Sequence, residues 1–437
     1  MDVNCTCISN IGCSDDTSVS IVEKDDKDPS NVSAKLHFLE NITADTRQYK
    51  GIHPIVALDS HRENLAKLVD KSLRSLPEPK GEHHAGNTIQ LLPSDNRTGA
   101  LLRKKPDFIS VTRGPGMRSN LSTGLDTAKG LSVAWQIPLV GVHHMQAHLL
   151  TPRLVSALDR KPTPDFPFLS ILVSGGHSLL AHSSSIVDHT ILAESSDIAV
   201  GAALDKVARL VIPPDLLATS KTTMYGKILE NFAFPNGEDD HKDYKPPATR
   251  GEEVTKHQTK WGWSIALPFA ETRTLEFSFA GIASRVTQLV TAINEASNKP
   301  FSHEERITFA RESMRICFEH LASRTVIALQ DHQLQKKSER PIKTLILSGG
   351  VAANRFLLRV LRSFLDVRGF GNVEIVAPPV YLCTDNAAMI GWAGIEMFEA
   401  GWRSDLSCKA WRKWSLDDGV GGDGNGGVLG PEDWRRV

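Results

Sequence analysis

Asp107–Thr112 (DFISVT) is a short β-branched run that stops at Arg113-Gly114-Pro115-Gly116 and gives way to a helical stretch from Ser119 to Trp135. Thr344–Ser348 (TLILS) repeats the pattern, with a buried-strand run, then Gly349-Gly350, then a helix from Ala352 to Leu365. Strand, glycine turn and helix form the unit of a parallel α/β sheet, because a parallel neighbour can be reached only through a crossover helix. Its presence in both halves predicts two related lobes facing a cleft. Two lobes also suit a chain of 437 residues, which exceeds one ordinary domain. Between the two segments, Phe168–Ser174 and His177–His182 flank Gly175-Gly176 and read as a hairpin with a glycine turn.

Composition narrows the function classes. Hydrophobic residues make up 41 % and charged residues 23 %, the balance of a globular rather than a disordered chain. No apolar run reaches the ~18 residues that span a bilayer, so no membrane partner is expected. A formal net charge of -1 gives no general attraction to nucleic acid. Arg103-Lys104-Lys105 and Arg403–Lys413 are local basic patches, a kind that is more often a solvated face than a binding site. The six cysteines include no CxxC pair, which argues against a disulfide scaffold and a zinc knuckle and suits a reducing compartment. Asn236–Lys260 has almost no apolar residues and reads as an exposed insertion, and the glycine-rich stretch after Asp417 as a disordered tail.

Three constellations carry chemistry. In Gly141-Val-His-His-Met-Gln-Ala-His148, His144 and His148 lie four residues apart, on one face of a helix, where they can share a metal. Two ordinary structural histidines fit that spacing equally well. Met145 stands where a zinc protease of the HExxH type needs its glutamate base, so a metallopeptidase is disfavoured. Ser348-Gly349-Gly350-Val-Ala-Ala-Asn354 puts glycines between a strand and a helix N-terminus, where backbone N–H groups attract phosphate. Ser174-Gly175-Gly176-His177 can offer N–H groups to the same anion from the other lobe. Asp205, within the helical stretch Asp197–Arg209, can accept both hydroxyls of a ribose or simply pair with a neighbouring cation. Asp385, opening the helix Ala387–Phe398, is a helix cap or a third, oxygen ligand of a His₂Asp metal site.

These motifs resemble the tRNA N6-adenosine threonylcarbamoyltransferase family, once labelled O-sialoglycoprotein endopeptidase. The resemblance runs from about Cys13 to Ser415 through SDDTSVSI (Ser14–Ile21), TRGPG (Thr112–Gly116), VHHMQAHLL, LVSGGHS, a DxxxGxxxDKxAR pattern ending at Arg209, FSFAG (Phe277–Gly281), LSGGVAANRFL and CTDNAAMIGWAG. It implies an α/β fold of two ribonuclease-H-like lobes around a nucleotide cleft, as in actin, sugar kinases and heat-shock ATPases. It implies that His144, His148 and Asp385 bind one divalent cation, zinc or iron. Leu172, Val173, Ser174, Gly175 and Gly176 match the substrate loop, Asp205 the ribose carboxylate, Gly349, Gly350 and Asn354 the nucleotide contacts, and Gly226 a glycine beside the nucleotide. The insertion after Val211 is similar to that of fungal mitochondrial members, which implies a mitochondrial homodimer.

The implied reaction transfers a threonylcarbamoyl group from threonylcarbamoyl-AMP, supplied by a separate synthase, to N6 of the adenosine 3′-adjacent to the anticodon in tRNAs reading codons that begin with A. No side-chain nucleophile is required. The alternatives are a metallopeptidase, an ATPase or sugar kinase of the same fold, and an inactive nucleotide-binding module. The expected organisation is an atypical leader and the start of the first lobe over 1–35, the N-terminal lobe over 36–150, and a C-terminal lobe over 151–385 with its insertion near 211–274. A helix returning to the N-terminal lobe over 386–415 and a disordered tail over 416–437 complete it. Two departures stand out. Gln146 and Ala147 replace the family's Glu and Gly between the histidines, and neither is a ligand. The family also opens with an apolar strand running into Glu-Thr-Ser-Cys-Asp. Here a polar stretch precedes Cys13-Ser14-Asp15 without the Glu-Thr pair, which predicts that the opening strand and any transit peptide are missing. Nothing in Met1–Lys35 resembles a targeting leader.

Overall fold

The computed structural model describes residues 4–11, 16–25, 32–45, 49, 53–79, 85–93, 100–218, 225–296, 302–331, 340–419 and 426–437, with the backbone alone for 4–11 and 296. The chain forms two compact units: one from Met1–Pro164, Ser185–His189 and Thr384–Val437, the other from Asp165–Ser184 and Thr190–Cys383. The expected division at 150/151 and 385/386 is therefore shifted. The helix His144–Leu158 belongs wholly to the first unit, and so does Asp385.

The first unit is built on strands β1 (Asn4–Ile11), β2 (Asp16–Asp25), β3 (Ser33–Thr43), β6 (Phe108–Gly114) and β7 (Leu139–His143), with a small ribbon of β4 (Thr88–Leu91) and β5 (Leu101–Lys104). The sheet order is β3-β2-β1-β6-β7. β1, β2 and β3 run antiparallel in turn, and β6 and β7 add parallel to β1. Asn4–Ile11 thus fills the central position expected to be empty, which corrects the reading that the opening strand is lost; Cys13–Asp15 lie outside the described residues. A strand between two hydrogen-bonded neighbours is held by its backbone, so a polar sequence can supply it. The helix Pro54–Leu73 starts with proline at its first turn, where no N–H is needed. It buries Ala57, His61, Leu65, Leu68 and Val69 at three- and four-residue spacing, packing onto Val19 and Ile21 of β2. The helix Ala387–Glu399 is apolar almost all round and reaches the sheet closely at Gly394, where a Cβ would sit 2.5 Å from Ser110 Cβ.

The second unit repeats the plan. Strands β8 (Phe168–Val173), β9 (Ser178–Ser183), β10 (His189–Glu194), β11 (Thr344–Ser348) and β12 (Glu374–Val376) have the order β10-β9-β8-β11-β12. β8 and β9 form the predicted hairpin, and β8, β11 and β12 are parallel. In both units an antiparallel pair hands over to two parallel strands. This α/β plan is the ribonuclease-H-like one, present twice. The core is organised around the helix His303–Gln330, buried on nearly every face from Ser313 onward.

The polar insertion is mostly exposed, as expected, and is anchored at Glu253, buried between Arg250 (2.6 Å) and Arg368 (2.7 Å); just beyond it Trp263 stacks on Phe309 at 4.0 Å with rings 7° apart. One expectation about order is corrected. The tail does not stay loose over 426–437. β14 (Trp434–Arg436) pairs antiparallel with β13 (Trp402–Ser404), and Asp433 receives both terminal nitrogens of Arg113, whose side chain is wholly buried. A buried guanidinium requires a counter-charge, and the tail supplies it. Residues 420–425 lie outside the described residues. No described helix is long and apolar enough to cross a membrane.

Candidate functional site

β7 ends at His143, and the helix His144–Leu158 starts immediately, so His144 and His148 share one helical face. Their Nε2 atoms are 2.9 Å apart. Asp385 Oδ1 lies 3.3 Å from His144 Nε2 and 3.1 Å from His148 Nε2. Two ligands about 2.0–2.1 Å from a tetrahedral cation stand roughly 3.3 Å apart, so the three atoms have the spacing of one face of a coordination shell. Among the described residues this is the one His/Cys/Asp/Glu group of at least three able to converge on a cation.

The protonation states suit a cation as well. Burial pushes His148 down, against the raising effect of Asp385, and leaves it below its ordinary value. Burial pushes the Asp385 carboxyl up, but charge and hydrogen bonding with His144 and His148 reverse this and hold it well below the usual carboxylate range. A neutral imidazole beside an anionic carboxylate is the state that metal binding requires.

Asp385 is set by its surroundings, not by capping. The cap of the helix Ala387–Glu399 is Asn386, which accepts from Met389 N–H at 3.1 Å. This leaves the Asp385 carboxylate to the histidines. Asn41 Nδ2 donates to the Asp385 carbonyl at 3.3 Å, and Ser18 Oγ accepts from Ala387 N–H at 2.9 Å. Gln146 turns aside to donate to the Ile186 carbonyl at 2.6 Å, and Met145 is buried without a carboxylate to act as base.

The remaining candidate residues fall together in the second unit. Both glycine turns are there, on the neighbouring strands β8 and β11, rather than one per lobe. Gly349 has φ +91°, and a Cβ there would overlap the Val173 carbonyl; only glycine permits that approach. A 3₁₀ turn, Gly350–Ala353, separates it from the helix Arg355–Val367. That helix starts later than expected, and Asn354 is its cap, accepting from Leu357 N–H at 3.1 Å. In the hairpin turn, Ser174 Oγ accepts from Gly176 N–H (3.2 Å) and His177 N–H (2.9 Å). These N–H groups are therefore engaged within the turn, where the sequence reading gives them to an anion. Leu172 and Val173 are buried strand residues, so only their backbone can serve a ligand.

Asp205 lies on the helix Val200–Val211 and accepts from Tyr225 N–H at 2.9 Å, beside Gly226. Burial raises its carboxyl, opposed by the Tyr225 N–H and the Arg209 charge. Sequence reasoning missed Asp197 and Gly201. Asp197 accepts from Ser278 Oγ (2.6 Å), Phe279 N–H (3.0 Å) and Ala280 N–H (3.0 Å), tying FSFAG to the turn before Val200. A Cβ on Gly201 would lie 2.6 Å from the Ser174 carbonyl. Both residues stand in the DxxxGxxxDKxAR pattern, which held the signal.

Fold and site together define an α/β protein of two ribonuclease-H-like units carrying a His₂Asp cluster that fits a divalent cation. A family model described as tRNA N6-adenosine threonylcarbamoyltransferase matches residues 75–392. The Schizosaccharomyces pombe protein named tRNA N6-adenosine threonylcarbamoyltransferase, mitochondrial, is 34% identical over 409 residues, covering 92% of this chain and 84% of that protein. The Brucella ovis tRNA N6-adenosine threonylcarbamoyltransferase is 30% identical over 407 residues, covering 92% of this chain and 93% of its own. The chain belongs to the tRNA N6-adenosine threonylcarbamoyltransferase family and is a transferase that modifies tRNA.

Proposed function

We propose that this chain transfers a threonylcarbamoyl group from threonylcarbamoyl-AMP to N6 of the adenosine 3′-adjacent to the anticodon, in tRNAs reading codons that begin with A. The observation that carries the reading is the His144–His148–Asp385 convergence without a carboxylate base at Met145, in a chain of this family. The adenosine N6 attacks the carbamoyl carbon, the bond from that carbon to the phosphate oxygen breaks, AMP leaves, and N6 loses a proton. A divalent cation, zinc or iron, held by the three residues would supply a Lewis acid and a fixed coordination point. Asp205 accepts the ribose hydroxyls, with Gly226 beside it. The Gly349-Gly350 backbone serves the phosphate, Leu172–Gly176 is the substrate loop, and Asn354, whose Oδ1 is held by Leu357 N–H, offers the nucleotide its amide N–H. A separate synthase supplies the adenylate. The name of the Schizosaccharomyces pombe relative supports a mitochondrial site of action, and the likeness of the insertion to fungal members supports a homodimer.

The test is modification of unmodified tRNA by purified protein and threonylcarbamoyl-AMP, read by nucleoside mass spectrometry. The modified nucleoside should accumulate with one AMP released for each group transferred. AMP release without modified nucleoside would leave an inactive or hydrolytic nucleotide-binding module. Metal-dependent cleavage of glycoprotein substrates, lost in His144→Ala, would restore the peptidase reading.

A further inference from the structure

We propose that His143 is a positioning residue for the His144–His148 pair, through which the C-terminal residues Lys409, Trp411, Trp414, Gly427 and Asp433 hold the ligand-bearing helix in register. The inference rests on the reading of His144, His148 and Asp385 as cation ligands. It concerns a residue outside that set and a segment beyond the residues 75–392 matched to the family.

The geometry at His143 is unusual for a helix start. Caps are ordinarily Ser, Thr, Asp or Asn, whose oxygens accept from the first free N–H groups. Here an imidazole does so: His143 Nδ1 accepts from Met145 N–H at 3.1 Å and Gln146 N–H at 3.4 Å. Accepting through Nδ1 places the ring proton on Nε2, which donates to the Trp414 carbonyl at 3.2 Å. The ring is wholly buried and tilted against the Trp414 indole, centroids 4.4 Å apart. One side chain thereby fixes the turn that carries His144 at its first position and ties it to a residue 271 positions away.

Trp414 is itself held. Its Nε1 donates to the Gly427 carbonyl at 2.8 Å, and the Arg113 guanidinium lies 5.5 Å from its ring. Arg113 also donates to the Lys409 carbonyl at 2.9 Å and to Asp433, and its own carbonyl accepts from Trp411 N–H at 2.8 Å. Gly114, at φ +151°, leaves no room for a Cβ against Trp411. These residues are therefore clamped to the ends of β6 and β7, and Trp414 reaches the helix start through His143.

The test is cation affinity, measured by cobalt(II) absorption and zinc competition on the full-length protein. Outer-shell partners of a metal site are typically worth about 10–100-fold in affinity. His143→Ala should lower affinity by that amount and alter the cobalt(II) spectrum. His143→Asn, which restores the cap but not the bond to the Trp414 carbonyl, should recover only part of the loss; full recovery would show that the C-terminal tie adds nothing. Trp414→Leu, which keeps the cap and loosens the clamp, should weaken affinity about tenfold, and it carries the test if His143→Ala does not fold. A folded His143→Ala with wild-type affinity and spectrum would overturn the proposal, as would unchanged affinity in Trp414→Leu. Equal cation binding by wild type and Asp385→Ala would instead overturn the ligand reading beneath it.

Discussion

His148 Nε2 and Asp385 Oδ1 meet at 3.1 Å across 237 residues of sequence. Neither element that carries them places the other, so the contact is a property of the folded first unit. If the pair binds a cation, His148→Ala and Asp385→Ala should each lose more than the roughly 10–100-fold in affinity typical of outer-shell changes. Elemental analysis after dialysis against a chelator would show it. Retention of one equivalent of cation by both variants would remove the pair from the ligand set.

Asp205 stands apart from that triad in the chain, and its loss should affect the nucleotide alone. Charge-assisted hydrogen bonds contribute about 1.5–3 kcal/mol each, or roughly ten- to a hundredfold in affinity. Calorimetric titration of Asp205→Ala with AMP should show that loss while the cation content stays at the wild-type value. Wild-type AMP affinity would limit Asp205 to holding Tyr225 N–H.

Gly349 and Gly175 should respond unequally to alanine. At Gly349 the left-handed φ and the Val173 carbonyl both oppose a Cβ, a strain of about 1–3 kcal/mol before any overpacking is added. At Gly175 no atom lies within 4 Å of the added Cβ, and the change should stay within about 0.5 kcal/mol. Denaturant unfolding of the two variants gives the comparison, and equal stability would place the crowding at Gly349 in doubt.

Acid should destabilise the protein through buried histidines. Burial pushes His320 down to about 3, with the Arg324 and Arg250 charges adding to it, and its Nε2 accepts from Ser278 N–H at 3.2 Å. The unfolded histidine titrates near 6.5, so the unfolded state binds the extra proton as pH falls. The contribution is complete above about 6.5 and is lost toward 3, at up to about 1.4 kcal/mol per pH unit. His143, also near 3 through burial, acts in the same direction. Unfolding free energies at pH 7, 6 and 5 should decline, and less steeply in His320→Gln. Parallel profiles for the two proteins would show that His320 contributes nothing to the slope.

The strand runs at Phe108 and Thr344 and the hairpin around Gly175-Gly176 were legible because each is a local pattern of β-branched residues and glycine. The pairing of His144 with His148 was legible because helical spacing is local too. What sequence could not show depended on distant partners. Asp385 and Asn386 are both plausible caps, and only the approach of two histidines decides between them. A glycine-rich tail looks unstructured until the buried Arg113 is seen to need Asp433. The polar insertion shows no anchor in sequence until Glu253 meets Arg250 and Arg368 in the fold. Ser174 can either leave its turn open to an anion or close it with its own hydroxyl, and the choice is one rotamer.

The discontinuity of the first unit has a bearing on how the protein is made. Its helix Ala387–Glu399 packs against β1, β2 and β6, yet it is synthesised after all of the second unit. On the ribosome the second unit can close while the first sheet still lacks that covering helix. Long-range closure is slow, and the waiting surface is open to misassembly. A released fragment ending at Cys383 should therefore resist protease in helix His303–Gln330 and strand β11 and be cut in β6 and β7. Any cation must be captured after synthesis has passed Asp385, so metal loading is a late event in the life of the chain.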